Sequence, residues 1–178
     1  MTQTIPASRA PTHSPTPPST PRLRMEPTGS RRTLLDGGWW PRSTDPVAEL
    51  PGLVLAIDRL RGPVTRLVLA ADGWDSRPRR LGVAGRVLRL GYFTSQPVSL
   101  LTALCDNGDR VDLLVVAPDT ASNIADAAMV LAAIASNRIG PRHILRTVTT
   151  ASTGEVDDSA PEAVWEDEGG RSGRRVVG

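Results

Sequence analysis

Two short blocks of this sequence bring together side chains that could do chemistry. The first is Asp36-Gly37-Gly38-Trp39-Trp40-Pro41-Arg42; the second is Asp72-Gly73-Trp74-Asp75-Ser76-Arg77-Pro78-Arg79-Arg80. Both run in the same order, Asp-Gly and tryptophan followed by proline and arginine. If the two loops face each other, Trp39, Trp40 and Trp74 form aromatic walls, and Arg42, Arg77, Arg79 and Arg80 supply positive charge. Such a pocket stacks and ion-pairs with a nucleobase, a nucleotide or another small anionic ligand. The carboxylates Asp36, Asp72 and Asp75 could instead form an acid/base pair or a weak divalent-metal site.

Each of these residues also has a purely structural reading. Asp before Gly or Pro is common turn and cap chemistry, and Asp45, before Pro46, suits a helix cap. Neighbouring arginines keep a carboxylate ionised, which unfits it as a general acid. Adjacent residues of an extended segment point to opposite faces, so Trp39 and Trp40 are not expected to share a surface. One indole should plug the core. Of the other candidate groups, Ser95 has no nucleophile elbow around it and no nearby base, since His143 lies far along the chain.

Composition removes several mechanisms. All 21 basic residues are arginine, so there is no lysine for a Schiff base or a phosphate loop. Cys105 is the single cysteine, and the two histidines are His13 and His143. These counts allow no intrachain disulfide, cysteine-rich zinc site or paired-histidine metal site. No metal-ligand spacing and no cofactor fingerprint is legible. No run of about 18 apolar residues suggests a membrane span, and the N-terminus lacks the apolar core of a secretory signal. The expectation is a cytoplasmic protein that does not engage a membrane.

The elements that must position the two blocks read as α+β. A helix over 44–61 starts at the Asp45 cap, with Pro46 at its first position and a kink or fresh start at Pro51; Leu53, Ile57 and Leu60 recur at core-facing spacing. Strand signals follow at 64–70, at a hairpin around Ala84-Gly85, and at 98–117. Within that last stretch Asn107-Gly108 predicts a two-residue turn, pairing Leu104 with Val111 and Thr102 with Leu113. That register sets Leu100, Thr102 and Leu104 on an apolar face and Cys105 on the opposite, mixed one. A second helix is expected over about 120–138, capped by Asp119 or Thr120 and stopped by Gly140-Pro141. Its alanine-rich surface, 120–136, has more apolar circumference than one sheet face covers, which suggests a homodimer. The sum is an antiparallel sheet of about five or six strands with two main helices packed on it.

Three regions follow. Residues 1–21 hold six prolines and one large apolar residue, Ile5, and read as a disordered leader. Residues 22–150 form the single α+β domain, with 17 arginines against 12 acids, net +5. Residues 151–178 carry seven acids and three arginines, net −4, around a lone Trp165, and read as a disordered acidic tail that could fold back on the basic body.

The blocks "LLDGGWWPRSTD", "ADGWDSRPRRL", "RVLRLGYFTSQ" and "RVDLLVVAPDT" together resemble a family of small uncharacterised actinobacterial proteins, a domain of unknown function with an LLDGxWWPRS-type motif. The resemblance spans about 22–138 and implies a similar single-domain fold, with no activity or ligand attached. The residues therefore rank the classes themselves. First comes a non-catalytic binding or interaction module using Trp39, Trp40, Arg42, Trp74, Asp75 and Arg79. The alternative is a small enzyme or nucleotide-binding protein with a Trp/Arg/Asp pocket. Specific nucleic-acid binding is not expected from so modest a charge and no recognisable motif.

Overall fold

A computed structural model of the chain describes residues 10–29 and 33–154. The strands are β1 (Thr12–His13), β2 (Arg22–Met25), β3 (Gly37–Trp40), β4 (Val64–Ala70), β5 (Arg80–Val83), β6 (Arg86–Phe93), β7 (Leu100–Cys105) and β8 (Arg110–Val115); the helices are α1 (Pro46–Arg61), α2 (Ser122–Ala132) and α3 (Pro141–Gly154). The α+β class holds, but the sheet has eight strands in the order β1-β5-β6-β4-β7-β8-β3-β2 and three helices accompany it. It is mixed rather than antiparallel. β3 lies parallel to β8, β6 parallel to β4, and β1 parallel to β5. Local turn signals reveal hairpins, whereas a parallel neighbour comes from elsewhere in the chain and leaves no such mark.

Helix α1 begins as its residue types dictate. The Asp45 carboxylate accepts the Val47 N–H at 2.9 Å, Pro46 opens the helix, and Glu49 sits in the positive first turn. The helix runs through Pro51 as one element with no fresh start. Leu50, Leu53, Val54 and Ile57 are fully buried, while Leu60, in the last turn, is exposed.

Both sheet faces are covered. On one, α1 packs over Trp39, Leu67, Leu81, Leu88, Leu101 and Leu113. On the other, α2 and α3 cover Leu35, Leu114 and Val116. This double cover follows from the β7–β8 hairpin, whose register differs by one from the two-residue expectation: Ala103 pairs with Val111 and Thr102 with Asp112. The turn has three residues, Asp106 to Gly108. The Gly108 N–H donates to Cys105 O at 3.2 Å, and the Cys105 N–H donates to Asp109 O at 2.9 Å. Gly108, at φ 85°, takes the left-handed place that closes such a loop. A one-residue slip moves a strand's side chains to the other face relative to its partner. Leu101, Ala103 and Cys105 thus join Val111 and Leu113 in the α1 core, and Cys105 is buried there, not on a mixed face. The β5–β6 turn agrees with its signal: Val83 pairs with Arg86 around Ala84 and Gly85, both at positive φ.

Helix α2 is shorter than expected, and its cap position is Ala121 with no side-chain cap bond; neither Asp119 nor Thr120 fills that role. Gly140-Pro141 does not end the helical region. Pro141 opens α3, a position where its missing N–H costs no hydrogen bond. Ile144 and Val148 of α3 bury against Leu35 and Val116 and cover a flank of α2, so part of the cover for its apolar surface comes from within the chain. Val130 and Ile134 stay exposed. Residues 10–21, expected as a disordered leader, lie along the body, where Thr12–His13 pairs with β5. Residues 155–178, with Trp165 and all seven acids of the tail, fall outside the described residues. Among the described residues no helix is long and apolar enough to cross a membrane.

Because α3 closes one of the two cores, Ile144→Ala should lower unfolding free energy by about 2–5 kcal/mol in urea titration. Thr147→Ala, on the exposed side of the same helix, should change it by less than about 0.5 kcal/mol. Equal effects would show that α3 is not docked.

Candidate functional site

The strands β3, β4 and β8 run in one direction, since β7 is antiparallel to both β4 and β8 and β3 is parallel to β8. Their carboxyl ends therefore meet along one edge of the sheet, where the segments that follow them enclose a cleft of about 550 Å³. After β3 come Pro41, Ser43 and Thr44; after β4, Asp72, Gly73 and Trp74; after β8, Ala117, Pro118 and Asp119. Val98 and Ser99, just before β7, with Val115 and Leu145 of α3, complete the lining.

Trp74 is the large flat wall. Its indole stacks on Trp39 at 6.1 Å between ring centroids, with 20° between planes. Trp39 itself is 1% exposed, in the centre of the α1 core. One face of the wall is thus backed by a side chain that cannot move without disturbing the core. The loop that carries Trp74 is tied to the start of α1: the Thr44 hydroxyl donates to the Asp75 carboxylate at 2.8 Å, and the Asp75 N–H donates to Thr44 O at 3.1 Å. The first loop is held in turn by Glu49, which accepts from the Arg42 N–H at 3.1 Å and the Ser43 hydroxyl at 3.0 Å. The anchors of the loops after β3 and β4 therefore trace back to α1 and to the core.

Of the expected site residues, Trp39, Asp72, Trp74 and Asp75 gather at this cleft, and of these Asp72 and Trp74 line it. Trp40 points to the opposite sheet face, as alternation requires. There the Arg22 guanidinium lies 3.5 Å from its ring centroid, and its indole N–H donates to Ala117 O at 3.1 Å. Arg42 extends away and donates to Thr20 O at 2.9 Å. Arg79 is exposed and contributes its backbone carbonyl to the Leu90 N–H. The two Trp/Arg blocks are neighbours, but their arginines do not converge. Asp72 pairs loosely with Arg77 at 3.6 Å, both in solvent. Asp119, also at the rim, has no ion pair among the described residues. Pro118-Asp119 reads in sequence as helix-cap chemistry, and the Gly140-Pro141 step hides the helix that carries Leu145, so neither residue is marked for the cleft by its local sequence.

Asp36 sits elsewhere, in a polar depression of about 270 Å³ with Arg61, Asp109, Arg110 and Asp112. Its carboxylate accepts the Asp112 N–H at 2.8 Å and its own N–H donates to Asp112 O at 2.7 Å. Burial pushes this carboxyl above the ordinary Asp range, against the pull of the Asp112 N–H. Its bonds splice the start of β3 to β8. Among the described residues no group of three or more His, Cys, Asp or Glu side chains is placed to hold a metal ion.

Residues 22–132 match the model of a family described as a family of unknown function (DUF5994). No curated protein and no solved structure matches the chain.

Burial, with the nearby acids Asp109, Asp58 and Asp106, pushes the Cys105 thiol up to about 11 from 9.0. Its thiolate population near pH 8 is then on the order of a hundredfold below that of a free cysteine. Iodoacetamide should alkylate the folded chain at least a hundredfold more slowly than the urea-unfolded chain at that pH. The same shift stabilises the fold below pH 9, and this contribution is lost as pH rises through 11, because the unfolded thiol ionises first. Rapid alkylation of the folded chain would place Cys105 at the surface.

Proposed function

The chain belongs to this family of unknown function, and we propose that it is a binding module whose cleft takes a small molecule with a flat apolar body and a cationic or hydrogen-bond-donating end. One observation carries the reading: among the described residues the cleft has a single aromatic wall, Trp74, and its only charged lining residues are the carboxylates Asp72 and Asp119. A cation over an indole face gains from the ring quadrupole, and a carboxylate at the rim adds charge pairing at partly screened distance. A nucleotide or other anion is the poorer fit: among the described residues its phosphate would meet two carboxylates and no lining arginine, Arg77 being paired with Asp72 at the rim.

Placement supports the same reading. Ligands of open sheets that carry parallel strands bind beyond the carboxyl ends of those strands, where the loops are free to vary. The stacking of Trp74 on Trp39 means that little side-chain freedom remains to be lost when a flat ligand lands on the wall. The hydroxyls of Ser43, Thr44 and Ser99 give the cleft its few directional groups. A reducing, cytoplasmic setting fits a chain with one buried thiol.

The test compares matched aryl probes. Phenethylamine and its carboxylate counterpart phenylpropionate are titrated into the chain with Trp40 and Trp165 changed to phenylalanine, following emission of the Trp39–Trp74 pair. The amine should bind at least tenfold more tightly, Asp119→Asn should narrow that gap, and Trp74→Leu should weaken both probes. A preference for the carboxylate would reverse the assignment.

A further inference from the structure

We propose that residues 10–21 are an exchangeable strand, whose seat on α1 and on the edge of β5 also takes the same segment of a second copy. The seat is cut to this segment at two glycines. A Cβ on Gly82 would stand 1.9 Å from the His13 ring, and a Cβ on Gly52, inside α1, would stand 2.0 Å from Ser19 O. No other side chain fits beneath the segment at either point. Around Gly52, Pro18 to Pro21 and the α1 residues Leu55, Ala56 and Leu60 line a common cleft of about 340 Å³.

The hold is slight compared with the fit. The ladder is two residues long and parallel, Thr12 with Leu81 and His13 with Gly82. One side-chain bond, Arg42 Nη1 to Thr20 O at 2.9 Å, fastens the far end. Most residues of the segment are exposed, so little apolar burial opposes release. Five prolines, at 11, 15, 17, 18 and 21, keep the segment extended whether docked or free and prevent the ladder from lengthening. When the segment lifts, β5 becomes an open sheet edge, a surface that pairs readily with another extended chain. The extended segment whose shape this seat matches is residues 10–21, and a second copy carries it. Within one chain the tether gives the resident segment an effective concentration on the order of millimolar, so exchange between copies rises with protein concentration.

The experiment uses full-length chains. Thr12→Pro with His13→Pro removes both amides of the ladder, and a fluorescent peptide of residues 10–21 is followed by anisotropy. The double variant should bind the peptide at least tenfold more tightly than the wild type, and adding Gly82→Val should abolish binding. A double variant that melts like the wild type and binds no more tightly overturns the proposal, as does binding that survives Gly82→Val. Should the double variant not fold, a chain with His13→Cys and Gly82→Cys is oxidised over a concentration series. A disulfide-linked dimer fraction that grows with concentration supports exchange; intrachain bridges alone at every concentration refute it.

Discussion

The structure depends on one steric constraint, the alternation of side chains along β3. Gly37, Gly38, Trp39 and Trp40 form a strand with β8 on one side and β2 on the other, with helices against both faces. Trp39 must then enter the α1 core and Trp40 must face the opposite way. The glycines serve the neighbours: a Cβ on Gly38 would stand 2.8 Å from the Met129 Cα of α2, and one on Gly37 would stand 2.1 Å from Arg24 O. The four residues thus divide the labour. Two admit the close approach of α2 and β2, one ties the two loops to the core, and one clasps Arg22 on the far face.

That division explains why the cleft differs from a pocket built by assembling every aromatic and cationic residue in the two blocks. A tryptophan's direction is set by strand parity, which can be read from sequence. An arginine's direction is set by whichever acceptor its long stem reaches, and the acceptors for Arg42 and Arg22 are carbonyls of Thr20, Trp40 and Pro41. These are backbone groups whose positions exist only once the fold does. The cleft consequently keeps the aromatic half of the expected chemistry and changes the sign of the charged half.

The same distinction governs how much of the fold was legible. The Asp45 cap, the Ala84-Gly85 turn and the apolar stretches of β4, β6, β7 and β8 are local properties, and they lie where their residue types put them. The β7–β8 register differs by one residue from the two-residue reading because Asn-Gly suits both a two-residue loop and the end of a three-residue one; the choice between them rests on burying Leu101 and Ala103 under α1. Helix α3 was obscured because Gly-Pro ends one helix and also begins the next. The two large apolar residues at i and i+4, Ile144 and Val148, were the available signal. For Leu145 and Asp119 at the cleft there was less to read, since their roles arise from which loops the parallel strands bring together.

The β3–β8 pairing has a further consequence in time. Residues 37–39 and 113–115 are far apart in the chain, so during synthesis the Gly-Gly-Trp-Trp strand leaves the ribosome long before its partner exists. Until β8 arrives, β3 has only β2 beside it, and its other edge and two indoles are open to misassembly with other nascent chains. The parallel pairing of β3 therefore has to wait for a strand made much later. The loops of the cleft come together only when that pairing is complete.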